Sequence, residues 1–578
     1  MLRFLLFLTL ALPVSAQETM IREVFDPATD THVEVLALFS KPSPGGYFPV
    51  RVKIANNLKS DRSIRLDFDC SNDYNDDLKA NSSFSLTAAA GKAVTRDILV
   101  PLCPPGSGSG SRSNVSARLS GTLGTAANNA RSNYDASQPA VLLSEALFTP
   151  NASVLDAELR SKFSGGYGGS SDFAAKFDPK QLPADWLAFS GYDSVILTDS
   201  DWSEIPPGSR NALLSWVRLG GQLVIYSSGS ATAAAMGLPP ESGFGQIEIR
   251  SIPADLKLDA PEVVKLVTKN PTKPLQVSVR NDFSGSWPLQ RLFGAQTFRY
   301  ALFVIVLILF AILVGPINLF VFAKSGQRHK LFITTPIISL GASLILIILI
   351  IIQDGFGGNG MRRVLMEVRP DGGVNAAYLH QEQFSRTGVL TGSDFTIDTP
   401  SNFQPVPIAT SRWARFTDGA GAKGNFNLQP TDGKLMVSGD WFQSRSEHGH
   451  ILSAVISTRG RIERAESRYL STFEFPIDTL YYLDESSQWY RAEGITAGKS
   501  FALTPVDMTM ALPALNQEAD AFANRNKQFL KTAITRPGHF IAITTHAPGI
   551  ATNPGIRWRE TRTVITGPVV GSFGKAEN

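Results

Sequence analysis

Two uncharged apolar runs constrain this chain more than any other feature. Tyr300 to Ala323 reads YALFVIVLILFAILVGPINLFVFA, and Leu331 to Ile352 reads LFITTPIISLGASLILIILIII. About 20 apolar helical residues cross a hydrocarbon core of about 30 Å, so each run is long enough to span a bilayer. The connector, KSGQRHK, carries Lys324, Arg328 and Lys330. Short loops rich in Lys and Arg stay cytoplasmic. The expected arrangement is a transmembrane hairpin over 299–353, with spans 300–323 and 331–352 and loop 324–330 in the cytoplasm. Both flanking regions then lie outside, in the periplasm if the membrane is a bacterial inner (cytoplasmic) membrane. The lipid bilayer is the first partner this implies. Neither run holds Asp, Glu, Lys or Arg, which argues against a transporter pore built from the hairpin alone. Pro316 removes a backbone donor and predicts a kink. Asn318 and Thr335 fall at similar depth from the loop, beside Thr334, and a hydrogen bond between them is expected to favour helix association by roughly 0.6–2 kcal/mol.

The N-terminus, MLRFLLFLTLALPVSAQETM, has Arg3, an apolar stretch to Leu12 and small residues at Val14-Ser15-Ala16. That is the anatomy of a secretory signal over 1–16. An uncleaved anchor with Arg3 inside places the flanks identically. The chain has two cysteines, Cys70 and Cys103, both in the exported region. In an oxidising compartment such a pair predicts a disulfide. A formal charge of +3 on 578 residues leaves no nucleic-acid footprint, and this length requires several domains.

Residues 17–149 alternate in short runs, among them VEVLAL (33–38), YFPVRVKIAN (47–56), SIRLDFDC (63–70), SSFSLTA (82–88) and NVSARLSG (114–121). Gly- and Pro-rich turns separate them. The pattern predicts an antiparallel β-sandwich of immunoglobulin-like type. Near residue 150 the pattern changes. DSVILT (193–198) reads as a buried strand, Ser209 to Leu219 as an amphipathic helix, and QLVIYS (222–227) as the next strand. Strand, helix and strand in this order make a βαβ unit, so 150–298 is expected to be α/β with a parallel, flavodoxin-like sheet.

On YDSVIL, the helix containing Trp216, and GGQLVIYSSG, this domain resembles class I glutamine amidotransferase-like domains, especially the non-catalytic versions in bacterial membrane proteins. The hairpin, with GPIN late in span one and TP early in span two, is similar to that of bacterial two-span proteins of the same plan and unknown function. The resemblance implies that Ser227 occupies the position of the enzymes' nucleophilic cysteine. No cysteine lies in this domain, and no histidine lies between His32 and His329. A serine needs a neighbouring base to act at neutral pH. Asp199, Asp201, Ser227, Ser228 and Ser230 lie at the carboxyl ends of the strands, where such folds bind ligands, and make a candidate cleft.

Residues 354–578 read as a β-rich extracytoplasmic domain, with one helix within 510–533. His448 and His450, beside Glu447, can share a strand face, but spacing supplies no third ligand, so no metal is expected. No cofactor is expected either. The expected protein is a non-enzymatic, membrane-anchored binding or scaffolding component of the bacterial envelope, partnered by another envelope or membrane protein. Two alternatives stay open. One is an accessory subunit of a transport or export complex that docks through Asn318 and the Thr pair. The other is a serine-dependent hydrolase or transferase using Ser227 or Ser228.

Overall fold

The computed structural model describes residues 18–72, 77–104, 113–132, 138–162, 172–229, 232–268, 283, 287–294, 300–369, 375–408, 411, 413–414, 416–417, 422–465 and 468–571. The expected signal segment and Ser230 lie outside them.

Among the described residues, eight strands come first: β1 (Glu18–Asp26), β2 (Thr31–Ala37), β3 (Tyr47–Asn56), β4 (Arg62–Asn72), β5 (Asp77–Ala88), β6 (Lys92–Pro101), β7 (Ser113–Gly121) and β8 (Ala126–Ser132). One antiparallel sheet runs β1-β2-β3-β6, and a second contains β5-β4-β7-β8. Alternation decides the faces. β4 buries Ile64, Leu66, Phe68 and Cys70 and turns Arg65, Asp67 and Asp69 outward. Val33, Val50 and Val52 of one sheet meet Ile64, Phe68 and Val115 of the other in a single core.

Five parallel strands follow: β9 (Val141–Ser144), β10 (Ala175–Phe177), β11 (Ser194–Thr198), β12 (Gln222–Ser227) and β13 (Gln246–Ser251). Their order, β10-β9-β11-β12-β13, is 2-1-3-4-5 by appearance, an order of doubly wound sheets. The first strand starts at Val141, ahead of the composition change at 150. Alternate residues of β11 and β12 feed two separate cores. Val195, Leu197 and Leu223 face Leu213 and Trp216 of α3 (Pro207–Arg218), while Ile196 and Val224 face α1 (Glu145–Lys162) and α4 (Ala260–Thr268). Strands covered on both faces lose polar alternation, which is why these runs are continuously apolar.

A short helix, α5 (Pro288–Phe293), leads towards span one. That span is α6 (Tyr300–Ile312), continued as a π-helix over Leu313–Phe322. Pro316 sits in the π segment, where the wider turn takes up the missing proline donor. Span two is α7 (Leu331–Asp354). Both helices are long and apolar enough to cross a membrane and are almost wholly unburied by protein.

Four residues after Asp354, β14 (Gly358–Arg369) enters a twelve-stranded sheet. Its path adds β15 (Ala376–Thr387), β17 (Ser401–Val406), β20 (Glu447–Ser457), β23 (Ile477–Leu483), β24 (Trp489–Ile495), β26 (Thr504–Pro505), β27 (His539–Thr544) and β28 (Ile556–Gly571), in the order β17-β20-β15-β14-β28-β27-β23-β24-β26, and β21 (Ile462–Ala465), β22 (Arg468–Ser471) and β25 (Ser500–Phe501) pair off that path. The expected helix within 510–533 is two: α8 (Met508–Ala519) and α9 (Asn524–Ile534). They cover one face of the sheet through Leu515, Phe529 and Leu530 against Leu365 and Ile541.

The N-terminal sheet does not end at β5. It is extended by β18 (Lys423–Thr431), β19 (Lys434–Gly439) and β16 (Phe395–Ile397), all from beyond the spans. β5 and β18 pair in parallel from Asp77 opposite Lys423 to Lys79 opposite Asn425. Two side-chain amides then carry the contact onward: Asn427 Oδ1 accepts from Asn81 N at 2.9 Å, and Gln429 Oε1 from Ser83 N at 2.6 Å. The regions before and after the hairpin therefore share a sheet, which the reading of 17–149 as a separate domain did not anticipate.

Candidate functional site

The carboxyl edge of the parallel sheet keeps part of the expected cleft. Ser227 is buried and donates to Asp199 Oδ2 at 2.5 Å, and Gly229 N donates to Ser227 Oγ at 3.2 Å. Asp201 is not in the cleft. Its carboxylate accepts from Thr198 N and its own N–H donates to Thr198 Oγ1, both at 3.0 Å, closing a capping box at the start of α2 (Asp199–Glu204). The sequence carried that signal as Thr198-x-x-Asp201, a capping residue with an acid three positions on. Ser228 is exposed, and Ser230 lies outside the described residues. Among the described residues, the Ser227–Asp199 pair has no imidazole from its own domain, which contains no histidine. A carboxylate alone is a weak base for serine.

In the hairpin, Asn318 is fully buried between the helices. Its Nδ2 donates to Thr335 Oγ1 at 2.9 Å, and its Oδ1 accepts from Thr334 Oγ1 at 2.6 Å. The amide is thus satisfied inside the hairpin and turned away from the lipid face. Asn318→Leu should weaken helix–helix association by about 0.6–2 kcal/mol, read as a lower unfolding midpoint in gentle detergent.

Cys70 and Cys103 are neighbours, with Cys103 N donating to Cys70 Sγ at 3.2 Å. Both side chains are buried in the sandwich core. His450 is buried, with Nε2 at 2.9 Å from Trp441 O and Nδ1 at 3.3 Å from Gln383 Nε2. His448 Nε2 lies 3.0 Å from Gln443 O. Glu447 pairs with Arg386 at 2.5 Å. These three are engaged by neighbours around the start of β20, and among the described residues no group of three or more His, Cys, Asp or Glu is placed to hold a metal.

The features that alternation could not reveal lie where the α/β domain docks on the C-terminal sheet. β15 reads AAYLHQEQFSRT and is buried on both faces, polar residues included. Glu382, wholly buried, accepts from Trp287 Nε1 at 2.8 Å, Asn526 Nδ2 at 2.7 Å and Ala523 N at 3.0 Å. This ties the pre-span segment and α9 to the sheet. Further along the same strands, Glu241 of the α/β domain bridges Arg369 at 2.7 Å and His539 at 2.9 Å. Buried Glu367 bridges Arg369 at 2.7 Å and Arg536 at 3.0 Å. The His539 contact, with Arg369, holds the Glu241 carboxyl down at about 2. Burial, with Arg525 nearby, pushes His380 down to about 3.

Both shifts act in one direction. The unfolded reference values are about 4.3 for Glu and about 6.5 for His. His380 is neutral in the fold, so its contribution is complete above about pH 6.5 and is lost as pH falls towards the folded value. The Glu241 contribution is present above about pH 4.3 and fades towards the folded value. Stability should therefore fall on the acid side of about pH 6.5, and His380→Asn should flatten the upper part of that fall in denaturant titrations at stepped pH.

A cavity of about 80 Å³ opens at the same junction, lined by Trp186, Trp216, Phe283, His380, Gln404 and Arg525 among others. Gln404 is almost wholly buried; its Nε2 donates to Gly45 O at 2.6 Å, while its Oε1 has no hydrogen-bond partner. Its neighbours come from distant parts of the chain, so no local motif announced it.

No family model and no curated protein matches this chain. Solved structures give only partial likenesses. A red sea bream transglutaminase is 15% identical over 22% of this chain and 19% of its own, with a TM-score of 0.14. R. palustris CsgH is 16% identical over 17% of this chain and 91% of its own, with a TM-score of 0.12. A Paenibacillus sp. cycloisomaltooligosaccharide glucanotransferase is 9% identical over 33% of this chain and 27% of its own, with a TM-score of 0.16. The chain spans about a fifth of the transglutaminase's length.

Proposed function

We propose that this protein is a non-enzymatic binding or scaffolding component, anchored by its hairpin in a bacterial inner membrane, with its sheets on the extracytoplasmic side. The observation that carries the reading is the shared sheet. β5 lies before the spans and β18 after them, and two strands can pair only on the same side of a membrane. The basic loop at the hairpin tip supports placing that side outside. The α/β domain is read as a non-catalytic amidotransferase-like domain, because Ser227 faces a carboxylate and no imidazole. The internal satisfaction of Asn318 favours an anchor over a polar docking notch.

The topology is tested with single cysteines introduced on a Cys70→Ala, Cys103→Ala background. In sealed spheroplasts, an impermeant maleimide should label Ser486→Cys and spare Ser325→Cys; the reverse pattern would invert the assignment. Binding is tested by cross-linking the full chain in its native membrane and purifying it gently. A stoichiometric envelope partner retained by Asn318→Leu/Thr335→Val is the expected result. A permease or ATPase lost in that variant would instead make the protein an accessory transport subunit. Labelling by a serine-reactive phosphonate that disappears in Ser227→Ala would establish a hydrolase.

A further inference from the structure

We infer that the cleft between α5, the C-terminal end of α8 and strands β14 and β28 is a binding site for a singly charged phosphate ester. The cleft has a volume of about 510 Å³, room for a phosphate with an organic group on it. Arg291, Arg363 and Arg562 line it together with Glu518, Asp520 and Glu560. Leu292, 53% exposed, adds an apolar border on α5, the helix that leads towards span one.

The charges around the cleft do not balance. Arg363 and Arg562 stand opposite each other in the β14–β28 register, so both side chains leave the same face of the sheet. Like charges so placed repel. Glu518 relieves Arg562, accepting from its Nε at 2.9 Å and from its Nη2 at 2.5 Å. Asp520 is taken at 2.7 Å by Lys527, which does not line the cleft. Glu560 lies 3.1 Å from Arg363 Nη1. Each acid therefore has its cation, and one positive charge is left over. It is that of Arg291, which is exposed and whose side chain makes no hydrogen bond or ion pair among the described residues.

Arg363 supplies a second donor. The residue is 7% exposed, and its Nε and Nη1 are buried without a hydrogen-bond partner, so Glu560 serves it as a charge only. Nη2 makes no hydrogen bond among the described residues either but, unlike the other two nitrogens, is not sealed from solvent, and the residue lines the cleft. Burial holds this guanidinium below its ordinary value, with Glu560 opposing. A desolvated cation short of acceptors costs free energy, and a phosphate oxygen on Nη2 would recover part of it. A tetrahedral anion offers oxygens in several directions, so one phosphate can accept from Arg291 on the helix and Arg363 on the sheet. A planar carboxylate suits a single arginine fork, as Glu518 does Arg562. One negative charge matches the one unmatched cation, whereas a dianion would leave an excess charge beside three acids. A membrane lipid's phosphodiester and a soluble ester share this chemistry.

The test uses the full chain in maltoside detergent. Glycerophosphoglycerol is the soluble probe, phosphatidylglycerol in mixed micelles is its lipid form, and glycerol is the control without phosphate. Saturable binding of the phosphate probes is expected in calorimetry, and none of glycerol. Arg291→Gln should weaken binding about tenfold, the loss of one charge-assisted hydrogen bond. Arg363→Gln should do at least as much; should that buried change fail to fold, the exposed Arg291→Gln decides. Lys499→Gln, which removes an exposed cation outside the cleft, should leave affinity unchanged. Tighter binding of the lipid than of its headgroup would make a membrane lipid the source of the phosphate, and equal affinity a soluble ester. The inference is overturned if neither phosphate probe binds saturably or if glycerol binds equally. It is also overturned if Arg291→Gln leaves affinity unchanged, or if Lys499→Gln weakens it as much.

Discussion

Glu382→Ala is expected to destabilise the protein by about 3 kcal/mol or more, because it leaves three buried donors without their acceptor. The carboxylate is wholly buried and receives Trp287 Nε1, Asn526 Nδ2 and Ala523 N. Removing it leaves those three donors dry, and each orphan costs about 1–3 kcal/mol. Glu382→Gln should recover part of the loss, because its amide oxygen can still accept from Asn526 Nδ2 and Ala523 N, and only the donor Trp287 Nε1 would face its NH2. Urea unfolding of the detergent-solubilised chain gives the number, and Trp287 fluorescence reports whether the pre-span segment loosens first. A loss under about 1 kcal/mol for Glu382→Ala would mean that water reaches this site and that the segment is held by something else.

Gly46→Ala should produce the second large effect. A Cβ at Gly46 would lie 2.4 Å from Gly191 Cα and 2.6 Å from Gly191 N. Both are backbone atoms, so no rotamer change relieves the clash, and overpacking of this kind costs about 1–3 kcal/mol or more. The turn is where the N-terminal sandwich meets both other regions. Ser43 N donates to Gly191 O at 2.8 Å, Tyr47 N to Ser190 Oγ at 3.2 Å, and Tyr47 Oη to Ser401 O at 3.1 Å. The variant should lower the unfolding midpoint and expose a new proteolytic site between the sandwich and the α/β domain. Gly392→Ala is the control, since a Cβ there meets nothing within 4 Å. Equal midpoints for the two variants would show that the Gly46–Gly191 approach is not what holds the domains together.

The legible elements were those whose burial is periodic along the chain. QLVIYS is β12 residue for residue, and SIRLDFDC lies within β4. Their side chains meet a core on one or both faces at a spacing of two, and that spacing is written locally. Asp201 shows the limit of reading a site from position alone. It lies at a strand's carboxyl end, as a ligand-binding acid would, yet its carboxylate closes the first turn of α2. β15 shows the opposite failure. HQEQ at 380–383 looks solvated, but it lies mid-sheet with protein on both faces. Its polar groups are paired by Ser453, Ile550, Ala523 and Asn526, none of them near it in sequence.

By itself, then, the sequence determined the two spans, the basic loop between them, the strand-rich flanks and the parallel sheet, and it removed cysteine and histidine from the α/β domain. Each of these depends on residue type and short-range period, which one chain segment carries alone. Tertiary structure decided the shared sheet, the ionic seam around Glu367, the buried donors on Glu382, the pairing of Ser227 with Asp199, and the cavity lined by Gln404. The bond from Asn81 N to Asn427 Oδ1 joins residues 346 apart, across both spans. A contact of that range leaves no local period, because each side chain is satisfied by a partner whose position only the folded chain supplies.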